Sequence, residues 1–264
     1  MISFFRKIRQ SLLKQNKASR YAMYAFGEIM LVMIGILLAL ALNEWNTQRK
    51  NQDYLSVMLQ EIHKDLKSDQ YFIYSAIEPR QKYAEEGLKT IKRSLHAAPK
   101  ASLDSIVDGY AKMKSGFQLT TSSGSYDALK AKGLEIIQND SLRLSLFDFY
   151  ELTIPRSLLF IHGDDENRKK EVRALEDKIL TYETYEEEDG RVRISSRLKD
   201  ENLAYSQTMY KIVNLMQGSI QSKRYRIEGL KESYARVSLL LEKELSKRSI
   251  PFTSFDATQV KLDF

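Results

Sequence analysis

The sequence predicts an all-α protein with one N-terminal transmembrane helix followed by an elongated antiparallel helical bundle. Three observations predict it: an unbroken apolar stretch behind a basic N-terminus, long runs of 3.6-residue periodicity after it, and a heptad-like apolar seam near the C-terminus. The composition allows a core, since 264 residues with 43% apolar and 29% charged side chains exclude collagen-like, disulfide-framework and fully disordered chains. The chain has no Cys, which removes thiol catalysis, iron–sulfur clusters, thiolate zinc sites and disulfides.

The first segment, residues 1–20, is basic. Arg6, Lys7, Arg9, Lys14, Lys17 and Arg20 stand there without an acid, and they equal the whole-chain excess of 41 Lys+Arg over 35 Asp+Glu. From Asn43 onward the charge is close to neutral, so the folded part carries no nucleic-acid footprint and no nucleic-acid partner is expected. Phe4, Phe5, Ile8 and Leu12 recur at helical spacing among these cations, the pattern of a short amphipathic helix lying at a lipid headgroup boundary.

Residues 21–45 predict the transmembrane helix, and hence the lipid bilayer as a partner. Tyr21 to Leu42 contains one charged residue, Glu28, and 22 helical residues span roughly 33 Å, about one hydrocarbon core. Tyr21 and Tyr24 at one end and Trp45 past the other are interface anchors. Six cations precede the span and only Arg49 and Lys50 closely follow it. The predicted orientation therefore has a cytoplasmic N-terminus and an outward domain. Ala39-Leu40-Ala41 has the form of a signal-peptidase site, but the apolar run exceeds the roughly 7–15 residues of a signal h-region.

Ala25, Glu28, Val32, Gly35, Ala39 and Asn43 share one face of this helix. Gly35 and Ala39 form a small-xxx-small pair, and an intramembrane carboxylate usually finds a partner, so this face is the candidate contact for a membrane-protein partner or a second copy. The competing reading is a lone Glu28 reaching toward headgroups.

Residues 46–249 predict a helical extracytoplasmic domain. Leu55, Leu59, Ile62, Leu66, Ile73 and Ile77 mark one stripe, and Tyr83, Leu88, Ile91 and Leu95 another. Pro79 is expected to kink or interrupt this helix, and Pro99 to end it. Ser102 predicts an N-cap for a helix to about Lys114, Ser125 another for a short helix stopping at Gly133, and Asn139 or Asp140 a further start. Ser115–Gly124 reads as a polar loop. A helix is expected beyond Pro155 to about Tyr185, with residues 186–190 a solvated acidic turn, and no segment suggests a sheet. Met209, Val213, Met216, Ile220, Lys223, Ile227, Leu230, Tyr234, Val237 and Leu241 follow steps of four and three, with only Lys223 polar. This is the inner face of an intrachain bundle helix in preference to an intermolecular coiled coil. Residues 250–264 form an irregular tail, read as a frayed end or a strap along the bundle in preference to a strand for a partner's sheet.

Catalytic signatures are missing. The histidines at 63, 96 and 162 are too far apart for paired helical ligands, and no P-loop, G-x-G-x-x-G or G-x-S-x-G occurs. His162 before Asp164 and Asp165, and the acidic run at 186–190, are weak metal suspects without EF-hand spacing. No metal, cofactor or enzymatic activity is expected.

The opening FFRKIRQSLLKQNKASRYAMYAFGEIMLVMIGILLALALNEWN, with Gly27, Glu28, Gly35, Asn43, Trp45 and Asn46, resembles an uncharacterised family of bacterial single-pass membrane proteins known only as a domain of unknown function. A second block, SYDALKAKGLEIIQNDSLRLSLFDFY, is similar to that family's recurrent pattern at Ser125, Tyr126, Leu129, Gly133, Ile137, Asn139, Leu142 and Tyr150. Ala131-Lys132 stands where the family usually has two serines before that glycine. The resemblance implies a Gram-negative inner-membrane setting and supplies no activity. The expected function is a membrane-anchored binding, scaffold or accessory protein with a periplasmic ectodomain. The alternative is a membrane-anchored enzyme with an atypical Tyr, Asp, Glu and Lys site.

Overall fold

A computed structural model describes residues 18–98, 100–186 and 190–260. The chain divides into two compact units between Leu55 and Ser56. The first holds the start of helix α1, Ala18–Phe72. Its apolar stretch is long and apolar enough to cross a membrane, and none of it is buried within the chain. The basic segment expected over residues 1–17 lies outside the described residues.

The second unit is a bundle around one long helix. In order come a π-helical turn (Ile73–Ile77), α2 (Glu78–Leu95), α3 (Leu103–Met113), α4 (Gly124–Lys132), α5 (Asp140–Phe147), a second π turn (Asp148–Thr153), α6 (Ile154–Ile179), strands β1 (Leu180–Glu186) and β2 (Val192–Leu198), and α7 (Gln207–Lys247). Short 3-10 turns sit at Leu134–Ile136, Glu201–Tyr205 and Ala257–Gln259. Helix α7 runs against two helical rods. On one side Glu242 meets His63, Tyr234 meets Asp69, Lys231 meets Glu78 and Tyr210 reaches the Leu95 carbonyl. On the other, Asn139 meets Glu244, Phe149 packs on Tyr234, and Arg168 reaches the Leu215 carbonyl. In both series the partners advance in opposite sequence directions, so the packing is antiparallel. The heptad positions of α7 are buried within the chain except Met216 and Lys223, which are half-buried.

The α-helical run is interrupted just before Pro79, as expected, and likewise before Pro155. Pro79 and Pro155 each lie in the first turn of a helix, where a missing N–H costs least. Before each, the chain takes a π turn: the Glu78 amide donates to the Ile73 carbonyl and the Ile154 amide to the Phe149 carbonyl. The extra residue absorbs the ring's steric demand, so the rod widens by a turn instead of ending.

Ser102 and Asn139 cap their helices through their side chains, as expected. Helix α4 instead starts at Gly124 after Ser123, and Gly133 ends it at φ 110°. The α2–α3 crossing is close: a Cβ on Gly87 would strike the Met113 amide, and one on Gly109 would come within 2.8 Å of the Ile91 amide. Glycine is required at both.

A further expectation fails. Helix α6 stops at Ile179, and β1 and β2 pair antiparallel, with Leu180 opposite Leu198 and Glu186 opposite Val192. β-branched and aromatic residues, Thr181, Tyr182, Thr184 and Tyr185 on one strand and Val192 and Ile194 on the other, outweigh helix propensity here, and Gly190 takes φ 81° just before β2. The acidic residues 187–189 lie outside the described residues. The tail lies along the bundle as a strap: Gln60 and Lys67 donate to the Pro251 and Thr253 carbonyls, while Phe252 and Phe255 pack on His63 and Tyr74. Residues 261–264 lie outside the described residues.

Candidate functional site

The bundle holds a cavity of about 280 Å3 between α2, the start of the 115–123 loop, α6 and α7. Its apolar side is made by the core residues Ala84, Met113, Val172 and Ile220. Its polar side is lined by Gln81, Lys114, Arg168, Lys169, Arg173, Glu176 and Lys223 among the described residues.

The cations are placed by local structure. Arg168 lies across α7 and donates to the Leu215 carbonyl at 3.2 Å. A Cβ at position 218 would come within 2.6 Å of its guanidinium, so Gly218 leaves the room it occupies. Lys223, the polar break in the α7 seam, stands over the Phe117 ring at 5.5 Å. Arg173 stands over Tyr182 at 5.6 Å, and Lys169 is 3.5 Å from Glu166.

Glu176 is buried at the cavity's edge and accepts from the Tyr110 hydroxyl, from Lys114 Nζ at 2.8 Å and from the Tyr182 hydroxyl at 3.2 Å. Burial pushes its carboxyl up, but these bonds, Lys114 foremost, outweigh burial and hold it below the usual glutamate range. Burial together with Glu176 pushes the Tyr182 hydroxyl up to about 12.

A second buried carboxylate, Asp69, pins the 115–123 loop. It accepts from the Ser122 amide at 2.9 Å, the Ser122 hydroxyl at 3.0 Å and the Tyr234 hydroxyl at 2.9 Å. Burial dominates here and raises its pKa, with Asp65 adding repulsion. Phe149 and Tyr150 of the second π turn close over it: Phe149 packs edge-on to Tyr234 at 4.8 Å, and Tyr150 stacks on Tyr126 at 4.3 Å. The block SYDALKAKGLEIIQNDSLRLSLFDFY is thus structural, with Tyr126, Leu129, Ile137, Leu142 and Tyr150 buried and Asn139 bonded to Glu244 at 3.2 Å.

Elsewhere the residues singled out from sequence fall as follows. Glu28, Val32, Gly35, Ala39 and Asn43 are exposed on one face of α1, and Ala25 is half-buried. A Cβ on Gly27 or Gly35 would meet nothing within 4 Å. Tyr24 and Trp45 are exposed. Arg20 and Tyr21 fall on α1, and Arg6, Lys7, Arg9, Lys14 and Lys17 lie outside the described residues. His63 bonds Glu242 at 3.1 Å, and no group of three His, Asp or Glu suited to a metal occurs among the described residues. Asp69 and Glu176 escaped the sequence reading. Their signal is positional: Asp69 and Gln70 fill the step between Leu66 and Ile73, and Glu176 the step between Val172 and Ile179, slots that periodicity turns toward the core.

Together these features define a helical-bundle protein with a membrane-length apolar helix at its N-terminus and a cation-lined cavity in the bundle. The chain belongs to a family of unknown function, DUF6090, whose model matches residues 28–191, more than half of its length. No curated protein and no solved structure matches it.

Proposed function

We propose that the protein is anchored in a bacterial inner membrane by residues 21–45, with the N-terminus cytoplasmic and the bundle periplasmic. There it acts by binding, as a scaffold, accessory or ligand-sensing subunit. The observation that carries the reading is the apolar stretch of α1, none of it buried within the chain and preceded by six cations without an acid. The buried carboxylates favour binding over catalysis, because Asp69 and Glu176 spend their oxygens on Ser122, Tyr234, Tyr110, Lys114 and Tyr182. A general acid at Glu176 would need a raised pKa, and its neighbours lower it.

The test is membrane fractionation with protease protection, followed by in-cell cross-linking and mass spectrometry of what co-purifies. A carbonate-resistant protein digested only from the outer side, with a stoichiometric second membrane protein or a self-cross-link, is the expected result. A soluble mature chain beginning after Ala41 would overturn the anchor. Glu28→Leu with Gly35→Leu should abolish the cross-link, and an unchanged cross-link would remove the α1 face as the contact.

A further inference from the structure

A groove of about 270 Å3 lies between α3, the start of α7 at Met209 and the ribbon formed by β1 and β2. The strand register places Leu180, Leu198, Ser196 and Ile194 on one face of the ribbon, because Leu180 pairs with Leu198, Tyr182 with Ser196 and Thr184 with Ile194. Leu180 is buried in the core, whereas Ile194 on the same face stays 70% exposed. From the other wall α3 presents Ile106, Val107 and Ala111, and Val107 is 47% exposed. The groove is long and narrow. Ile106 to Lys114 is about 12 Å of helix, and Leu198 to Ile194 about 13 Å of strand. A volume of about 270 Å3 over that length leaves a cross-section of roughly 22 Å2, the width of a single alkyl chain. As an apolar cavity of about 150 Å3 takes the six carbons of benzene, this one has room for roughly ten. Charge points the same way. Among the described residues Lys114 is the one charged group in the lining, and its ammonium is answered by Glu176 at 2.8 Å, which also accepts from the Tyr110 hydroxyl. Such walls complement an uncharged body.

We propose that this groove binds one unbranched alkyl chain of about ten carbons, laid between Val107 and Ala111 of α3 and Ile194 of β2, with the polar end of the molecule outside. The chain covers Val107 and Ile194 and gives the ribbon packing that two strands alone lack. The proposal deepens the ligand-binding reading of the bundle and rests on it. Such a chain belongs either to a membrane lipid or to a free single-chain amphiphile, and the shared chemistry is the unbranched alkyl body.

The experiment is photolabelling of the full-length protein in nanodiscs with decanol carrying a diazirine on its chain, followed by peptide mapping by mass spectrometry. Label should appear saturably in α3 and β2, beside Val107, Ala111 and Ile194. Excess decanol should remove it and butanol should not, because each buried methylene strengthens binding roughly fourfold. Probe dissolved in the bilayer should label residues 21–45 without saturating, an internal reading of the anchor. Ala111→Trp, which fills the groove, and Ile194→Asp, which puts a charge in its wall, should each cut the α3 and β2 label about tenfold and spare that at 21–45. Ala111→Ser should retain it. Positions 111 and 194 are exposed, and unaltered thermal unfolding of each variant separates lost binding from lost folding. A phospholipid with a diazirine in one acyl chain labelling the same peptides assigns a membrane lipid, and labelling by the single-chain probe alone assigns a free amphiphile. Absence of saturable label in α3 and β2, or wild-type label in both the Trp and Asp variants, overturns the proposal while leaving the anchor untouched. A cross-link from a photoreactive residue at position 107 to a second protein, without label from either probe, gives the groove to a polypeptide and overturns it as well. Saturable label in α3 and β2 with none at 21–45 would support the groove and overturn the anchor.

Discussion

Asp69 and Glu176 are two carboxylates with nearly the same burial, 6% and 3% exposed, and opposite electrostatics. Each accepts from three donor groups and each meets at least one tyrosine. Asp69 has only hydroxyls and an amide as donors, and its pKa is raised; Glu176 has Lys114 as well, and its pKa is lowered. Neutral donors only partly offset desolvation, whereas one cation at 2.8 Å reverses it. The two regions differ in purpose accordingly. Around Asp69 the donors come from a loop and from α7, so the carboxylate ties the fold together. Glu176 sits at a cavity's edge and joins α3 and β1 to α6 through Tyr110, Lys114 and Tyr182.

The largest expected effect tests the tie at Asp69. Tyr234 is fully buried, and Tyr234→Ala removes its ring from Phe149 and its hydroxyl from Asp69. Loss on the scale of a large aromatic truncation, about 3–5 kcal/mol, is expected in urea unfolding. A loss below about 1 kcal/mol would mean that the cluster does not hold the loop, and the contrast with Glu176 would fall.

Glu176→Ala comes next, at about 3 kcal/mol, because it leaves the Tyr110 and Tyr182 hydroxyls and Lys114 without their shared acceptor. Glu176→Gln should cost less, since an amide oxygen still accepts. Equal costs for the two would show that charge, not hydrogen bonding, is what the site uses.

How far the sequence foretold this arrangement depends on whether the information is local. Periodicity made the helices legible, and the step pattern of the α7 seam located its inner face, because burial of one stripe is repeated every turn. The caps at Ser102 and Asn139 were legible for the same reason: the side chain and the amide it bonds are three residues apart. The hairpin was lost because its alternating residues follow a helix without a break, and the Asp189-Gly190 turn signal was absorbed into an acidic run. The cavity was illegible. Lys114, Arg168, Arg173 and Lys223 come from three separate segments, and no spacing rule joins residues that meet only after α6 and α7 have packed. Lys223 alone left a trace, as the polar residue in its seam.

The smallest effects bear most directly on the comparison, through the pH dependence of stability. A carboxyl held below its ordinary value of 4.5, as Glu176 is, contributes stability that is whole above that value and is lost as pH falls through its folded pKa. The cost of Glu176→Gln should therefore be greatest at neutral pH and shrink below about 4.5. Asp69 is raised from 3.8, so its folded form holds a proton that the unfolded form has released, and its contribution declines as pH rises through the folded pKa. The cost of Asp69→Asn should accordingly grow as pH falls from neutral toward 3.8. Urea unfolding at a series of pH values reads both slopes. Lys114→Met then isolates the cause: without the cation, burial governs Glu176, and the Glu176→Gln cost in that background should take the sign seen at Asp69. A slope that keeps its original sign after Lys114→Met would show that the tyrosine hydroxyls alone suffice, and that the difference from Asp69 comes from Asp65 instead.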